Sequence, residues 1–276
     1  MRCTRFWSVA AWRSCAGLLA GAIAVAGTSA AAGLLHRWSF NDGTVNNSVG
    51  GAQGTLPGGA SIAGGQAVLG GGGQHVDLPG PTIAINTYSE ATLELWLTSD
   101  PANTNYTMAA VLGRTYDPGL GEPDWAGYQY VMVQPTRGGG PAATRAAITA
   151  VRFEEESGVN GPGQINDGVP HHLAVTVNAT DIAYYIDGSL IGSAPLGANT
   201  LSSLSNNFAY LGRSVYQYDP TFVGSIDEFR IHNMALSAGD IARSIQLGPD
   251  VVIPEPSTML LVATGLAVLA SRRRWS

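Results

Sequence analysis

The sequence predicts an all-β sandwich of two antiparallel sheets with one short helix near its end, and three observations carry that reading. Ala91-Thr-Leu-Glu-Leu-Trp-Leu-Thr98 alternates without a break, with Ala91, Leu93, Leu95 and Leu97 toward a core and Thr92, Glu94, Trp96 and Thr98 opposite. The composition is that of a turn-rich β protein: 276 residues hold 36 Gly and 15 Pro, and 12% are charged. The stretch from Phe222 to Ile241 changes period midway. Its first half alternates, Ile226, Glu228, Arg230 and His232 on one face and Ser225, Asp227, Phe229 and Ile231 on the other. Ser237 followed by Asp240 then reads as a helix cap, and Ala238, Ile241, Ala242 and Ile245 make an apolar helical stripe. Gly224 opens the strand where another backbone is expected to come close.

The remaining elements follow in order. Arg2, Arg5 and Arg13 precede the apolar run Ala16 to Ala26, with small residues for cleavage at Thr28-Ser-Ala30 or Ala30-Ala-Ala32. Residues 1–32 therefore read as a secretory signal peptide, an amino-terminal anchor being the alternative that the short run disfavours. Leu34 to Phe40 is the first strand, with Trp38 and Phe40 on one face. Ala67-Val-Leu69 and Gln74 to Leu78 are short strands set among glycines. The segment from Tyr116 to Gly127 keeps no period and is expected to be a long loop. Arg145 to Phe153 reads as a strand running into Glu154-Glu-Glu156. His171 to Val177, with Leu173, Val175 and Val177 inward, leads to a hairpin turned by Asp187-Gly188. Phe208 to Arg213 leads into a second aromatic loop, Ser214 to Pro220.

Charge and cysteine content exclude several classes. Lysine is absent, and between the two terminal segments eight Arg face 19 acids, a balance of about −11. Such a domain does not present the basic surface that nucleic acid demands. Cys3 and Cys15 both fall in the signal segment, so the exported domain carries no disulfide and no thiolate metal site.

Gly224-x-Ile-Asp-Glu-Phe-Arg-Ile-x-Asn-x-Ala-Leu-Ser237 resembles the closing strand of laminin-G-like, concanavalin A-like jelly-roll domains. His36-Arg-Trp-Ser-Phe-Asn-Asp42, His171 to Val177 with Tyr184-Tyr-Ile-Asp-Gly188, and Tyr210-Leu-Gly-Arg-Ser214 match the same family in order. The resemblance covers residues 33–250 and implies a concanavalin A-like jelly roll. Pro254-Glu-Pro256, an apolar helix over 258–271 and Arg272, Arg273 and Arg274 resemble the PEP-CTERM sorting signal. That signal, over 251–276, implies recognition by exosortase in a Gram-negative bacterium that makes extracellular polysaccharide. The apolar helix is then a transmembrane anchor, temporary if the tail is cleaved and permanent if it is kept.

The carboxylates are the first candidates for chemistry. Glucanases of this fold carry Glu-x-Asp strands, and retaining glycosidases need two carboxyls about 5 Å apart. Glu94 has Trp96 where the second acid would stand, and Asp227 and Glu228 face opposite ways on a strand. Glu154 and Glu156 share a face if they lie on a strand. His171 and His172 point apart, and no Gly-x-Ser-x-Gly is present. Pairing of Asp227 or Glu228 with Arg230 or Arg213 is the expected role of those acids. No catalytic residue and no metal site is therefore predicted. Calcium, which the family often uses at a loop rim, is left open through Asp117, Asp124 and Asp219, whose spacing matches no calcium loop. The predicted ligand-binding residues are Tyr116, Asp117, Trp125, Tyr216, Tyr218 and Asp219, since aromatic faces stack on sugars while carboxylates accept from hydroxyls. The expectation is a non-catalytic exported module that binds extracellular polysaccharide or a matrix protein. The alternative is a polysaccharide hydrolase or lyase.

Overall fold

The computed structural model describes residues 33–138 and 143–252. The expected signal peptide (1–32), the sorting motif with Pro254, Glu255, Pro256 and Arg272 to Arg274, and the apolar helix 258–271 lie outside the described residues. None of the described helices is long and apolar enough to cross a membrane.

Among the described residues fourteen strands follow one another: β1 (Leu34–Trp38), β2 (Ser61–Ala63), β3 (Gln66–Gly70), β4 (Val76–Leu78), β5 (Ala91–Ser99), β6 (Ala110–Thr115) and β7 (Gly127–Arg137) come first. Then come β8 (Ala143–Thr149), β9 (Ser157–Asn160), β10 (Pro170–Val177), β11 (Asp181–Ile186), β12 (Ser189–Pro195), β13 (Phe208–Leu211) and β14 (Val223–His232). A one-turn helix α1 (Gly80–Ile83) precedes β5, and α2 (Ala238–Leu247) follows β14. The first sheet runs β12-β11-β10-β5-β14-β3-β2 with β1 also on β14, and the second runs β4-β13-β6-β7-β8-β9. All of these pairings are antiparallel.

The two inner faces share one core. Ala91, Leu93, Leu95 and Leu97 of β5 enter it as their alternation requires, with Leu173, Val175 and Val177 of β10 and Phe229 and Ile231 of β14. Trp38 stacks on Phe229 with ring centroids 5.6 Å apart. Gly224 (φ 142) has the Thr98 carbonyl oxygen 2.1 Å from where a Cβ would stand, so the expected close backbone approach is real. Asp187 (φ 49) and Gly188 (φ 78) both take the left-handed conformation of a two-residue hairpin turn. Ser237 and Asp240 form the reciprocal cap of α2.

Three elements differ from the sequence expectation. In β14, Ile226 opposes Leu97 while Glu228 opposes Trp96, so Asp227 is an extra residue. This bulge turns Ile226 into the core, away from the face of Glu228, Arg230 and His232. The strand predicted to reach Phe153 ends at Thr149, and Phe153–Glu155 is a single 3-10 turn, so Glu154 and Glu156 do not share a strand face. On α2 the buried positions are Ile241 and Ser244, while Ala238 is exposed.

α2 and the chain that follows cover the outer face of the first sheet. Ile241 packs on Ala174 and Tyr185. Ser244 is buried because it accepts from Arg230 Nη1 at 3.2 Å. Arg230 also donates to the carbonyl oxygens of Pro249 (2.5 Å) and Val251 (3.1 Å), and lies 4.5 Å over Trp96. Glu228 pairs with Arg230, as expected, and with Arg37 through two 2.8 Å bonds. Beside them Glu94 accepts from His172 Nε2 (3.2 Å) and His232 Nε2 (2.9 Å). Burial raises the Glu94 pKa, but the two imidazole hydrogen bonds outweigh it and hold the carboxylate well below its usual range. His171 points to the other side, toward Asp187.

Candidate functional site

The outer face of the second sheet is built differently. Met108, Val111, Tyr130, Met132, Ala147, Tyr210 and Val215 form an apolar cluster on it, with Phe208 and Tyr216 packed against them. The outward positions of β7 run Tyr130, Met132, Gln134, and strict alternation would turn Arg137 inward. A bulge prevents this: Gln134 opposes Arg145 and Arg137 opposes Ala143, so β7 takes three steps where β8 takes two. Arg137 thereby joins Gln134 on the outer face.

A cavity of about 510 Å³ stands on this face. Its aromatic walls are Tyr106, Trp125, Phe153 and Tyr216, over a floor of Met108, Tyr130 and Met132. Gln134, Arg137, Arg145, Glu156 and Asp219 supply its polar groups. Trp125 is 43% exposed, and its ring lies 5.9 Å from Phe153, which lies 6.5 Å from Tyr216. Tyr130 donates to Glu156 Oε1 at 2.5 Å and accepts from the Tyr216 hydroxyl at 2.7 Å. Arg145 Nε donates to Glu156 Oε2 at 2.7 Å, and its Nη1 donates to Asn160 at 2.8 Å. Burial pushes the Tyr130 and Tyr216 hydroxyl pKa values well up, so both stay protonated. Asp219 accepts from Ser214 at 2.7 Å. Burial pushes its carboxyl up to about 6, with the Ser214 bond acting against that rise. A second cavity of about 710 Å³ shares Tyr216 and Asp219 with the first and opens toward Gly70 to Gly73 and Ala102 to Thr104.

Trp125, Tyr216 and Asp219, which the sequence placed in two separate loops, therefore line one cavity. The loops also touch directly, Tyr218 donating to Asp124 at 3.1 Å. Tyr116, Asp117 and Tyr218 do not line it. Asp117 caps the turn Pro118–Leu120 by accepting from Gly119 N at 2.8 Å. Glu122 takes Arg114 in two 2.6 Å bonds and fixes the loop from within. Tyr218 is 71% exposed. Among the described residues no three His, Cys, Asp or Glu stand together as a metal site. Glu154 pairs with Arg152 at 2.9 Å on the surface, and Glu228 lies under α2 on the opposite sheet.

Gln134, Arg137, Arg145 and Phe153 were missed as site residues. The alternation Tyr128, Tyr130, Met132, Gln134 signals the strand, and Pro135 within it marks an irregularity without fixing where Arg137 points.

Two packed antiparallel sheets, one carrying an open cavity on its outer face, define a jelly-roll sandwich of the concanavalin A type. The chain belongs to the concanavalin A-like lectin/glucanases superfamily, whose Laminin_G_3 model matches residues 70–242. Residues 252–274 match the PEP-CTERM protein-sorting motif, which implies export, cell-surface sorting and processing by exosortase. No curated protein matches the sequence. Among solved structures, the chain is similar to domain 4 of AbnA, an extracellular arabinanase of Geobacillus stearothermophilus, in complex with arabinotriose. Identity is 23%, coverage is 77% of this chain and 98% of that one, and the TM-score is 0.60. The CBM40 of the Ruminococcus gnavus IT-sialidase, bound to α2,3-sialyllactose, is similar at 12% identity over 64% and 95% of the chains, with TM-score 0.50. Botulinum neurotoxin type C, whose cell entry depends on two ganglioside molecules, is similar at 14% identity and TM-score 0.57. That match covers 78% of this chain and 51% of the toxin chain. At these identities the likeness shows the fold.

Proposed function

We propose that the exported domain is a non-catalytic module that binds carbohydrate in the cavity on the outer face of the second sheet. The observation that carries this reading is the gathering of Trp125, Phe153 and Tyr216 around one cavity with polar groups at its floor. Half-exposed aromatic rings offer faces to sugar rings, and the neighbouring amide, guanidinium and carboxyl groups match their hydroxyls. The second cavity, joined through Tyr216 and Asp219, gives an extended chain room to continue. Solved structures of similar fold hold arabinotriose and sialyllactose, which is consistent with a sugar as the ligand. The partner is an extracellular polysaccharide, with a glycosylated matrix protein as the other bearer of the same chemistry. The sorting motif would deliver the domain to the envelope or matrix of a Gram-negative bacterium.

Absence of turnover is part of the proposal. Both oxygens of Glu156 are held, by Tyr130 and by Arg145, and Glu228 and Glu94 are buried on the opposite sheet. Binding of the exported protein to an array of bacterial and plant polysaccharides, with and without calcium, tests the reading. Retention on at least one glycan, reduced several-fold in Trp125→Ala, is expected. Release of reducing ends, abolished by Glu156→Gln or Asp219→Asn, would make it a hydrolase.

A further inference from the structure

The polar end of the cavity holds two side chains that face its open space. Gln134 is only 3% exposed, yet its amide has no hydrogen-bond partner among the described residues and lines the cavity. The amide is not one of the fully buried polar atoms left without a partner, which among the described residues are Thr144 Oγ1, His172 Nδ1 and the Tyr184 hydroxyl; it lines the open cavity where a ligand can reach it. Arg137, three residues on, forms no ion pair among the described residues, although the β7 bulge turns it onto the same face. The other cation of the cavity, Arg145, is already matched by Glu156 and Asn160. Asp219 stands at the junction with the second cavity, engaged by Ser214. Among the described residues the first cavity thus holds one cation and one amide without partners, on a bulged strand beside aromatic walls.

We propose that this cavity selects a carboxylate-bearing sugar, the uronate unit of an acidic polysaccharide. Arg137 pairs with its carboxylate, and the Gln134 amide donates to the same group. The proposal rests on the carbohydrate-binding reading and adds its substrate class. A planar guanidinium presents paired donors that match a carboxylate, and an amide beside it completes the anion's acceptor sites. A neutral sugar would leave the Arg137 charge partly desolvated with no counter-charge, which is unfavourable. The domain as a whole is acidic, so long-range attraction does not draw a polyanion in, and selection must come from these two residues at short range.

The test is calorimetry of the exported protein with three probes: a galacturonate trimer, the same trimer as its methyl ester, and a sulfated galactan oligosaccharide of equal length. The acid is expected to bind about tenfold more tightly than the ester, the scale of one charge-assisted contact. Arg137→Gln should bring acid and ester to equal affinity, and Gln134→Leu should narrow the gap without lowering Tm. Arg137→Lys keeps the charge and loses the fork, so it should fall between. Equal binding of acid and ester, or a preference that survives Arg137→Gln, overturns the uronate assignment while the carbohydrate reading stands. Tighter binding of the sulfated probe overturns the carboxylate in favour of a sulfate ester. Failure of all three probes to bind, on a protein that also binds nothing on the polysaccharide array, removes both readings together.

Discussion

The two sheets turn opposite kinds of outer face away from their shared core. Under α2, the first sheet buries a dense cluster of titratable groups: Glu94 with His172 and His232, and Glu228 with Arg37 and Arg230. Most polar atoms there are spoken for, by their neighbours, by Ser244 or by the carbonyl oxygens of Pro249 and Val251, His172 Nδ1 being the buried exception among the described residues. The second sheet carries fewer charges, but Gln134 and Arg137 have no partner among the described residues and aromatic rings stand half open above them. A cluster of titratable groups is therefore no sign of a site by itself. What separates the two faces is whether donors and acceptors are already used. The first face is a glue that fixes the exit of the chain, and the second is left for a ligand.

The sharpest way to break this contrast is to cut the glue. Glu228→Ala leaves Arg37 and Arg230 facing each other under α2, and should lower stability by about 3–5 kcal/mol. Chemical denaturation gives the number, and glycan affinity of the remaining folded protein should be unchanged. A loss below about 1 kcal/mol would mean that the charges are hydrated and the face is open after all. Phe229→Ala, on the inner side of the same strand, should cost a similar 3–5 kcal/mol, because a fully buried ring stacked on Trp38 leaves a cavity. The two losses have different causes.

The inner faces were legible in the sequence because alternation reports them directly. Leu93, Leu95, Leu173, Val175, Phe229 and Ile231 all point where a period of two puts them. Alternation fails where a strand gains a residue. At Asp227 the bulge moves Ile226 from the predicted outer face into the core, and in β7 it moves Arg137 the other way. Pro135 in β7 and Gly224 in β14 hint at an irregularity, but neither fixes the register, which the partner strands set. The site was half legible for the same reason. Trp125, Tyr216 and Asp219 stood out as aromatic, acid-bearing loops. Their neighbours Tyr130, Gln134 and Arg137 lie on a strand whose outer face looks, residue by residue, like any other. Tyr116 and Asp117 carried the same composition signal as Trp125, but their end of the shared loop is folded on the hydrogen bonds of Asp117 and Glu122 and lies off the cavity.

A smaller effect sharpens the contrast within the second face. Burial raises the Asp219 carboxyl from 3.8 to about 6, so the folded state holds that proton more tightly than the unfolded chain does. Stability contributed by the protonated group is present below the unfolded value and is lost as pH rises through about 6. At about pH 7 the native protein carries a strained, partly desolvated charge. Asp219→Asn keeps the acceptor for Ser214 and removes that charge, and should raise stability by about 1–2 kcal/mol near neutrality. The gain should fade as pH is lowered toward 4. Thermal melts across that window decide it, and a gain that does not change with pH would place its origin elsewhere.

The smallest effect on stability belongs to Trp125, and it is the most informative about function. Its ring touches Phe153 at 5.9 Å but remains 43% exposed, and it lies outside both main core clusters. Trp125→Ala should therefore change stability by less than about 1 kcal/mol, as substitutions outside the core do. A stacking aromatic contributes about 0.5–1.5 kcal/mol beyond the area it buries, so loss of the indole face should weaken glycan binding several-fold or more. Glu228→Ala and Trp125→Ala then make a crossed pair, one losing stability with binding intact and the other losing binding with Tm intact. A Trp125→Ala protein that melts many degrees lower and still binds would show the ring to be a lid on the sheet. The two outer faces would then differ in what covers them and not in what they are left open to do.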